Sequence, residues 1–488
     1  MGIVINQSLK NTITTYAGFG LGAVNVLFLY TNFISDQYYG LVAYILSASN
    51  IMMPLMAFGA HNTLVKFFTS FKTEHSANSF LTLMLFLPLV LTIPVGIVGY
   101  FAHDLIAAAL SSKNEIVGAY LWYIFITAFA MAYFEVFYAW VKVQMKTVFG
   151  NFMKEVFHRV VAMVLLFMVY FEIIDVHGFL MGLVATYVLR SLLMMLFAFR
   201  QRLPVFRFDR LSNLSAIIKY AVLIIVAGSI ATLILDVDKV MLNNYIAIEK
   251  VAYYSVAVFI ATVIAVPQRA MHQILLPLTA QFLNAKDKVA LEDLYKRSSL
   301  TLCITSGLIF LLIILNINQL YEIIPPEFGG GLLVVFLISA AKLYDNLLGN
   351  NNAILFNSDY YRMVIVFGVM LAVLAVLLNM VFIPLYGING SAMATFISVF
   401  VYNTAKLLFV KRKFKMWPFT AETFKWGLLL ALLLMVFYFW DFPFHPLANI
   451  VLKSVLISIV YLILILRLEL SEDISSMLGK ILRKNFKK

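Results

Sequence analysis

The chain has 488 residues, of which 63% are hydrophobic and 12% charged, with a mean hydropathy of +0.94 and a formal net charge of +12. That balance excludes an ordinary soluble protein, in which roughly a quarter of residues are charged. Long continuous apolar runs also exclude an outer-membrane barrel, whose strands alternate in short segments, and predict an all-α polytopic membrane protein.

In chain order, MGIVINQSLK is polar and has no cleavable signal pattern, so the first apolar segment is expected to be retained as a helix. Windows of about twenty apolar residues predict about fourteen transmembrane helices. They fall near 11–34, 39–64, 80–102, 118–140, 156–174, 178–199, 217–246, 249–280, 299–319, 331–356, 363–384, 388–410, 424–440 and 448–467. The glycines of AGFGLG (Gly18, Gly20, Gly22) lack the preceding strand of a nucleotide loop and read as close helix packing. The single Cys303 excludes an intramolecular disulfide and a cysteine-based metal site. No loop is long enough to fold separately, which places function between the helices.

With the N-terminus in the cytoplasm, alternate loops collect the positive charge. They carry Lys66 and Lys72; Lys142, Lys146 and Lys154; Arg200, Arg202, Arg207 and Arg210; Lys286, Lys288, Lys296 and Arg297; Lys411, Arg412, Lys413 and Lys415; and the tail lysines. The opposite loops hold little beyond Lys113, Lys250 and Lys453. This asymmetry predicts both termini inside, and contact with anionic lipid heads accounts for the charge without nucleic acid. The tail LELSEDISSMLGKILRKNFKK has an amphipathic pattern and is expected to lie on the cytoplasmic surface.

An internal repeat organises the chain. SDQYYGLVAYILSASNIMMP aligns on IEKVAYYSVAVFIATVIAVP, setting Pro54 against Pro267, each expected in mid-helix. VHGFLMGLVATY aligns on LYGINGSAMATF, setting Gly178 against Gly387. Six helices separate the copies, so the repeats are parallel, as in many secondary transporters. The predicted organisation is a six-helix lobe over 1–213, a second over 214–416, and two further helices with the basic tail over 417–488, around a central cavity. The same offset carries LILDVDKVML (233–242) into a helix rather than a loop, about 22 Å along the axis at Asp238.

Charge inside a bilayer costs about 2.5–3.5 kcal/mol per residue at a helix centre, so buried charges should face a cavity and one another. Three-residue spacing pairs Asp236 with Lys239, Arg269 with His272 and Lys342 with Asp345 on shared helical faces. In the first half Glu135, His158, Arg159 and Arg190 are the candidates. The alternative is a set of structural ion pairs. Asp236-Val237-Asp238 also spells the DxD of metal-dependent glycosyltransferases, but the large external loop of such enzymes is missing and Lys239 would compete with a metal. No residue cluster has metal-ligand spacing.

Three stretches carry a family likeness: SLKNTITTYAGFGLGAVNVLFLYTNFISDQYYGL, LDVDKVMLNNYIAIEKVAYYSVA and NMVFIPLYGINGSAMATFISV. In these the chain resembles the oligosaccharide flippases of the bacterial polysaccharide transporter family, relatives of the MATE-type exporters. The resemblance implies movement of undecaprenyl-diphosphate-linked sugar repeat units to the outer leaflet of the inner membrane by alternating access, for O-antigen, capsule or exopolysaccharide. It implies no enzyme activity and no cofactor. Its partners would be the lipid-linked oligosaccharide, membrane lipids, a proton or sodium ion for coupling, and other glycan-assembly membrane proteins.

It further implies a charged cavity lining, with Asp238, Arg269 and Asp345 where family members place such groups. A diphosphate in low dielectric needs cations, best supplied by an Arg fork with added Lys. Arg269, Lys239, Lys342 and Arg159 are the candidates for binding. Asp238, Asp345, Asp236 and His272 are the candidates for coupling or charge balance, and Pro54 and Pro267 for hinges. A MATE-like exporter of small cations, which would need an acidic cavity, and a membrane glycan polymerase or glycosyltransferase remain as alternatives.

Overall fold

The computed structural model describes residues 2–209, 211 and 213–471, with side chains throughout these except 2–9, 12, 226, 227, 230–235 and 273. Most of the tail expected to be amphipathic, 472–488, lies outside the described residues, as does Arg210. Every regular element among the described residues is helical. Eleven helical stretches are long and apolar enough to cross a bilayer. Large apolar side chains such as Phe101, Met435 and Val455 lie exposed on them, as lipid-facing positions require. The chain is therefore a multi-pass membrane protein.

The first unit spans Met1–Ser255. Its longer helices are α1 (Gly2–Val24, continued by a π-turn at Asn25–Leu29), α2 (Asp36–Met56), α3 (Glu74–Phe86), α4 (Leu89–Phe101), α5 (Leu121–Lys142), α6 (His158–Tyr170), α7 (Val176–Gln201) and α8 (Leu214–Tyr245). Side-chain caps set several starts: Ser35 on Tyr38 N–H, Thr73 on Ser76 N–H and Asp175 on Gly178 N–H. α2 packs against α5 and α8, and α5 against α7, around a core that includes Phe80, Phe134, Trp140 and Met194. Small residues permit the closest approaches. A Cβ on Gly18 would overlap the Glu155 carbonyl, as the packing reading of AGFGLG requires, whereas Gly20 faces open space. A Cβ on Gly40 would overlap the carbonyl of Ile248.

The second unit spans Val256–Lys488. α9 (Glu249–Thr262) runs into it, followed by α10 (Val266–Asn284), α11 (Lys288–Ile323), α12 (Leu332–Leu347), α13 (Asn351–Asn357), α14 (Tyr361–Phe414), α15 (Ala421–Tyr438) and α16 (Pro446–Arg467). α11 is the central post, touching α10, α12, α15 and α16. Trp426 donates to the Tyr461 hydroxyl, which donates to the Ile304 carbonyl, so α15 and α16 are bonded to α11 inside an apolar core.

α14 is 54 residues long, roughly 80 Å if straight, against about 30 Å of hydrocarbon. Gly387, at φ 57° and ψ −131°, divides it. Tyr360 and Phe367 meet Phe409 at ring distances of 5.4 and 5.6 Å, and Gly390 abuts the Phe382 carbonyl. The stretch is a tight antiparallel hairpin, matching the expected separate spans 363–384 and 388–410. Only glycine adopts that backbone without strain.

Several other spans are corrected. The segment expected as 39–64 breaks at 57–59, where Phe58 and Gly59 both have positive φ. The one expected as 249–280 breaks at a 3-10 turn, Val263–Ala265, and 331–356 breaks at Gly349. Pro54 and Pro267 consequently sit beside breaks and not in mid-helix: Pro54 is two residues from the end of α2, and Pro267 is in the first turn of α10. In a first turn Pro267 has no intrahelical N–H bond to lose, whereas Pro54, in the last turn of α2, removes the bond to the Asn50 carbonyl and weakens the helix next to its end.

Candidate functional site

LILDVDKVML lies within α8, as the repeat register predicts. Asp236 and Asp238 are 7% and 5% exposed. Asp236 Oδ1 accepts from Ser47 Oγ of α2 at 2.8 Å and faces Lys239 Nζ at 3.6 Å. Asp238 accepts from the hydroxyl of Tyr254, while the neighbouring Tyr253 donates to Asp36. Both carboxylates of the DxD are thus engaged by α2 and α9. His, Cys, Asp and Glu side chains form no cluster fit to hold a metal among the described residues.

A second charged group in this unit gathers at the π-turn Met153–Phe157. Arg159 pairs with Glu155 at 3.4 Å and donates to its carbonyl. Lys154 reaches Glu135 at 2.6 Å, with its own side chain still exposed. Arg190 is buried between the rings of Phe134 (4.4 Å) and Tyr187 (4.8 Å), and its Nε has no partner.

The second unit contains a cavity of about 410 Å³ built by α10, α11 and the turn between α12 and α13. Gln268, Arg269, His272, Asn350 and Asn352 supply its polar lining, with Leu275, Leu302, Gly349 and Ala353 as the rest. Arg269 and His272 share one face of α10, as their spacing predicts, and both are exposed. No acidic residue is among the described lining residues. Asp345 stands behind the lining: Gln268 Nε2 donates to its Oδ2 at 3.2 Å, and Lys406 Nζ lies 3.8 Å from its Oδ1. Lys342 is half-buried one turn earlier on α12.

Two buried lysines escaped the sequence reading. Lys406, 1% exposed, donates to Asn352 Oδ1 at 2.9 Å and lies 4.0 Å above the Tyr402 ring. It sits five residues before the Lys411-Arg412-Lys413 run, so in sequence it blends into the basic end of the helix. Lys453, assigned to an outer loop, is instead 1% exposed within α16 and bonds Asp441 at 2.9 Å. Gln319 of α11 donates to the same carboxylate oxygen, which ties the last helix pair to α11.

A family model described as polysaccharide biosynthesis protein matches residues 6–283. No curated protein matches the sequence. Among solved structures, the lipid II flippase MurJ in an inward closed conformation is similar at a TM-score of 0.71 and 13% identity, covering 94% of this chain and 98% of that one. An inward-facing multidrug resistance MATE family transporter of the MOP superfamily is similar at 0.60 and 16%, covering 85% and 95%. A MOP superfamily transporter from Pyrococcus furiosus follows at 0.52 and 15%, covering 85% and 93%. At such identities the likeness shows the fold.

Proposed function

Because the chain belongs to the polysaccharide biosynthesis protein family, we propose that it is a transporter of the flippase type. It carries undecaprenyl-diphosphate-linked oligosaccharide units from the cytoplasmic to the outer leaflet of the bacterial inner membrane by alternating access. The surface glycan it serves is an O-antigen, capsule or exopolysaccharide. Both termini are cytoplasmic, and two parallel six-helix lobes over 1–213 and 214–416 precede a last helix pair, for fourteen crossings in all.

The observation that carries this reading is the cavity of the second unit, which has Arg269 and His272 with three amides and no carboxylate among its described lining residues. A guanidinium fork suits a diphosphate, and amides suit sugar hydroxyls. An exporter of organic cations would need the opposite charge. The partial length of the lipid can remain in the bilayer while only the head group crosses.

Lys239, Lys342 and Arg159 are assigned as further cations on the head-group path. Asp238, Asp345, Asp236 and His272 are assigned to charge balance and to exchange of a proton or sodium ion. The breaks beside Pro54 and Pro267 serve as hinges. Arg269→Ala should abolish export of the surface glycan while the protein still inserts, with lipid-linked units accumulating inside. Normal glycan profiles from that variant would remove Arg269 from the path.

A further inference from the structure

Three amides line the second unit's cavity, and each can in principle be turned either way. Two of them are set by groups whose hydrogen-bonding sense is fixed. An ammonium only donates, so the contact of Lys406 Nζ with Asn352 at 2.9 Å obliges Asn352 to present Oδ1 to the lysine. A carboxylate only accepts, so the contact with Asp345 at 3.2 Å obliges Gln268 to present Nε2. What remains for the cavity is the Nδ2 donor of Asn352 and the Oε1 acceptor of Gln268.

The third amide is set by a hydroxyl. Thr279 spends its one proton on the Leu275 carbonyl at 2.7 Å, so it accepts from Asn350 Nδ2 at 2.6 Å. Asn350 Oδ1 is left buried with no partner. A buried acceptor without a donor is costly to the empty protein, and a ligand hydroxyl or amide N–H relieves it.

We propose that Lys406 and Asp345 are positioning residues that fix the donor and acceptor pattern beside Arg269, and that this pattern selects a sugar ring bearing both donors and acceptors next to the anionic group. The inference rests on the flippase reading above and adds a determinant of specificity to it. The loose ion pair, at 3.8 Å, serves the pattern twice: Lys406 orders one wall through Asn352, and Asp345 orders the other through Gln268. Lys406 is fully buried and lines no part of the cavity itself, so its influence on a ligand passes through Asn352 and Asp345.

The test uses the full-length protein purified in detergent and two probes, undecaprenyl diphosphate and the same lipid carrying one N-acetylhexosamine. Wild type should bind the sugar-bearing lipid about tenfold more tightly, the worth of one or two net hydrogen bonds. Lys406→Met should erase that preference and leave affinity for undecaprenyl diphosphate unchanged. Lys406→Arg, which also can only donate, should keep it. Should the lysine variants fail to fold, Asn352→Leu gives the same reading with the ion pair intact, and Lys406→Arg in that background should change nothing further. A preference retained without Lys406 and without the Asn352 amide, or an equal loss of affinity for both lipids, overturns the proposal. Wild type that binds both lipids equally overturns it too and leaves the flippase reading standing. Wild type that binds neither lipid refutes the flippase reading itself.

Discussion

Lys239→Met separates a structural ion pair from a contact with the head group. Lys239 and Asp236 are 3.6 Å apart, and at an effective dielectric near 20 the bare attraction is about 4–5 kcal/mol. Desolvation of both groups offsets much of this, and Lys239 keeps about a fifth of its side chain exposed. After truncation Ser47 still donates to Asp236, so the carboxylate is left half-satisfied. We expect a loss of about 2–3 kcal/mol, below the ~3–5 kcal/mol of a fully buried pair because the lysine is partly solvated. Denaturant or thermal unfolding in detergent measures it. The double variant Asp236→Asn/Lys239→Met removes both charges and should recover most of that stability. It should not recover glycan export, because Lys239 is assigned to the head-group path. Wild-type export by the stable double variant would refute the assignment and leave the pair as a bundle lock.

Two further outcomes follow from the fold. Gly387→Ala should cost about 1–3 kcal/mol, because φ 57° with ψ −131° is strained for any residue with a Cβ. Gly427→Ala, where a Cβ meets only open space, is the control, and equal melting of the two would overturn the hairpin reading. In a Cys303→Ser background, Asp238→Cys should react with a membrane-impermeant maleimide far more slowly than Lys113→Cys, which is exposed in a loop. Equal rates would overturn the burial of Asp238 inside α8.

The helical class and most spans were legible because bilayer-length apolar runs are a direct consequence of backbone desolvation. The register of Asp236 and Asp238 was legible through the repeat, and the joint placement of Arg269 and His272 through helical spacing. Breaks were less so. Phe58 adopts φ 48°, which its own side chain does not announce, and the one mark of the break is the glycine that follows it, Gly59. The break at Gly349 did leave a mark, the polar Gly-Asn-Asn-Asn run inside an apolar window. Lys406 was hidden for a different reason. Its role depends on Asn352, 54 residues earlier, and on Asp345 on another helix, and no pattern within one helix encodes such partners. Of the cavity amides, Asn350 and Asn352 lie in that same Gly-Asn-Asn-Asn run and Gln268 stands alone, but an amide carries no charge cost that would draw the eye to a binding role.

The consecutive tyrosines at the start of α9 have a mechanical meaning. Adjacent residues on a helix project about 100° apart, and here each is bonded to a different carboxylate, Tyr253 to Asp36 and Tyr254 to Asp238. A shaft held by two pins at different angles cannot turn about its own axis without shearing one of them. The 3-10 turn Val263–Ala265 that follows, four residues before Arg269, is held as well, since Asn346 donates to the Ile264 carbonyl at 2.7 Å. The row of pins continues into the first turn of α10, where Gln268 is bonded to Asp345 beside the guanidinium.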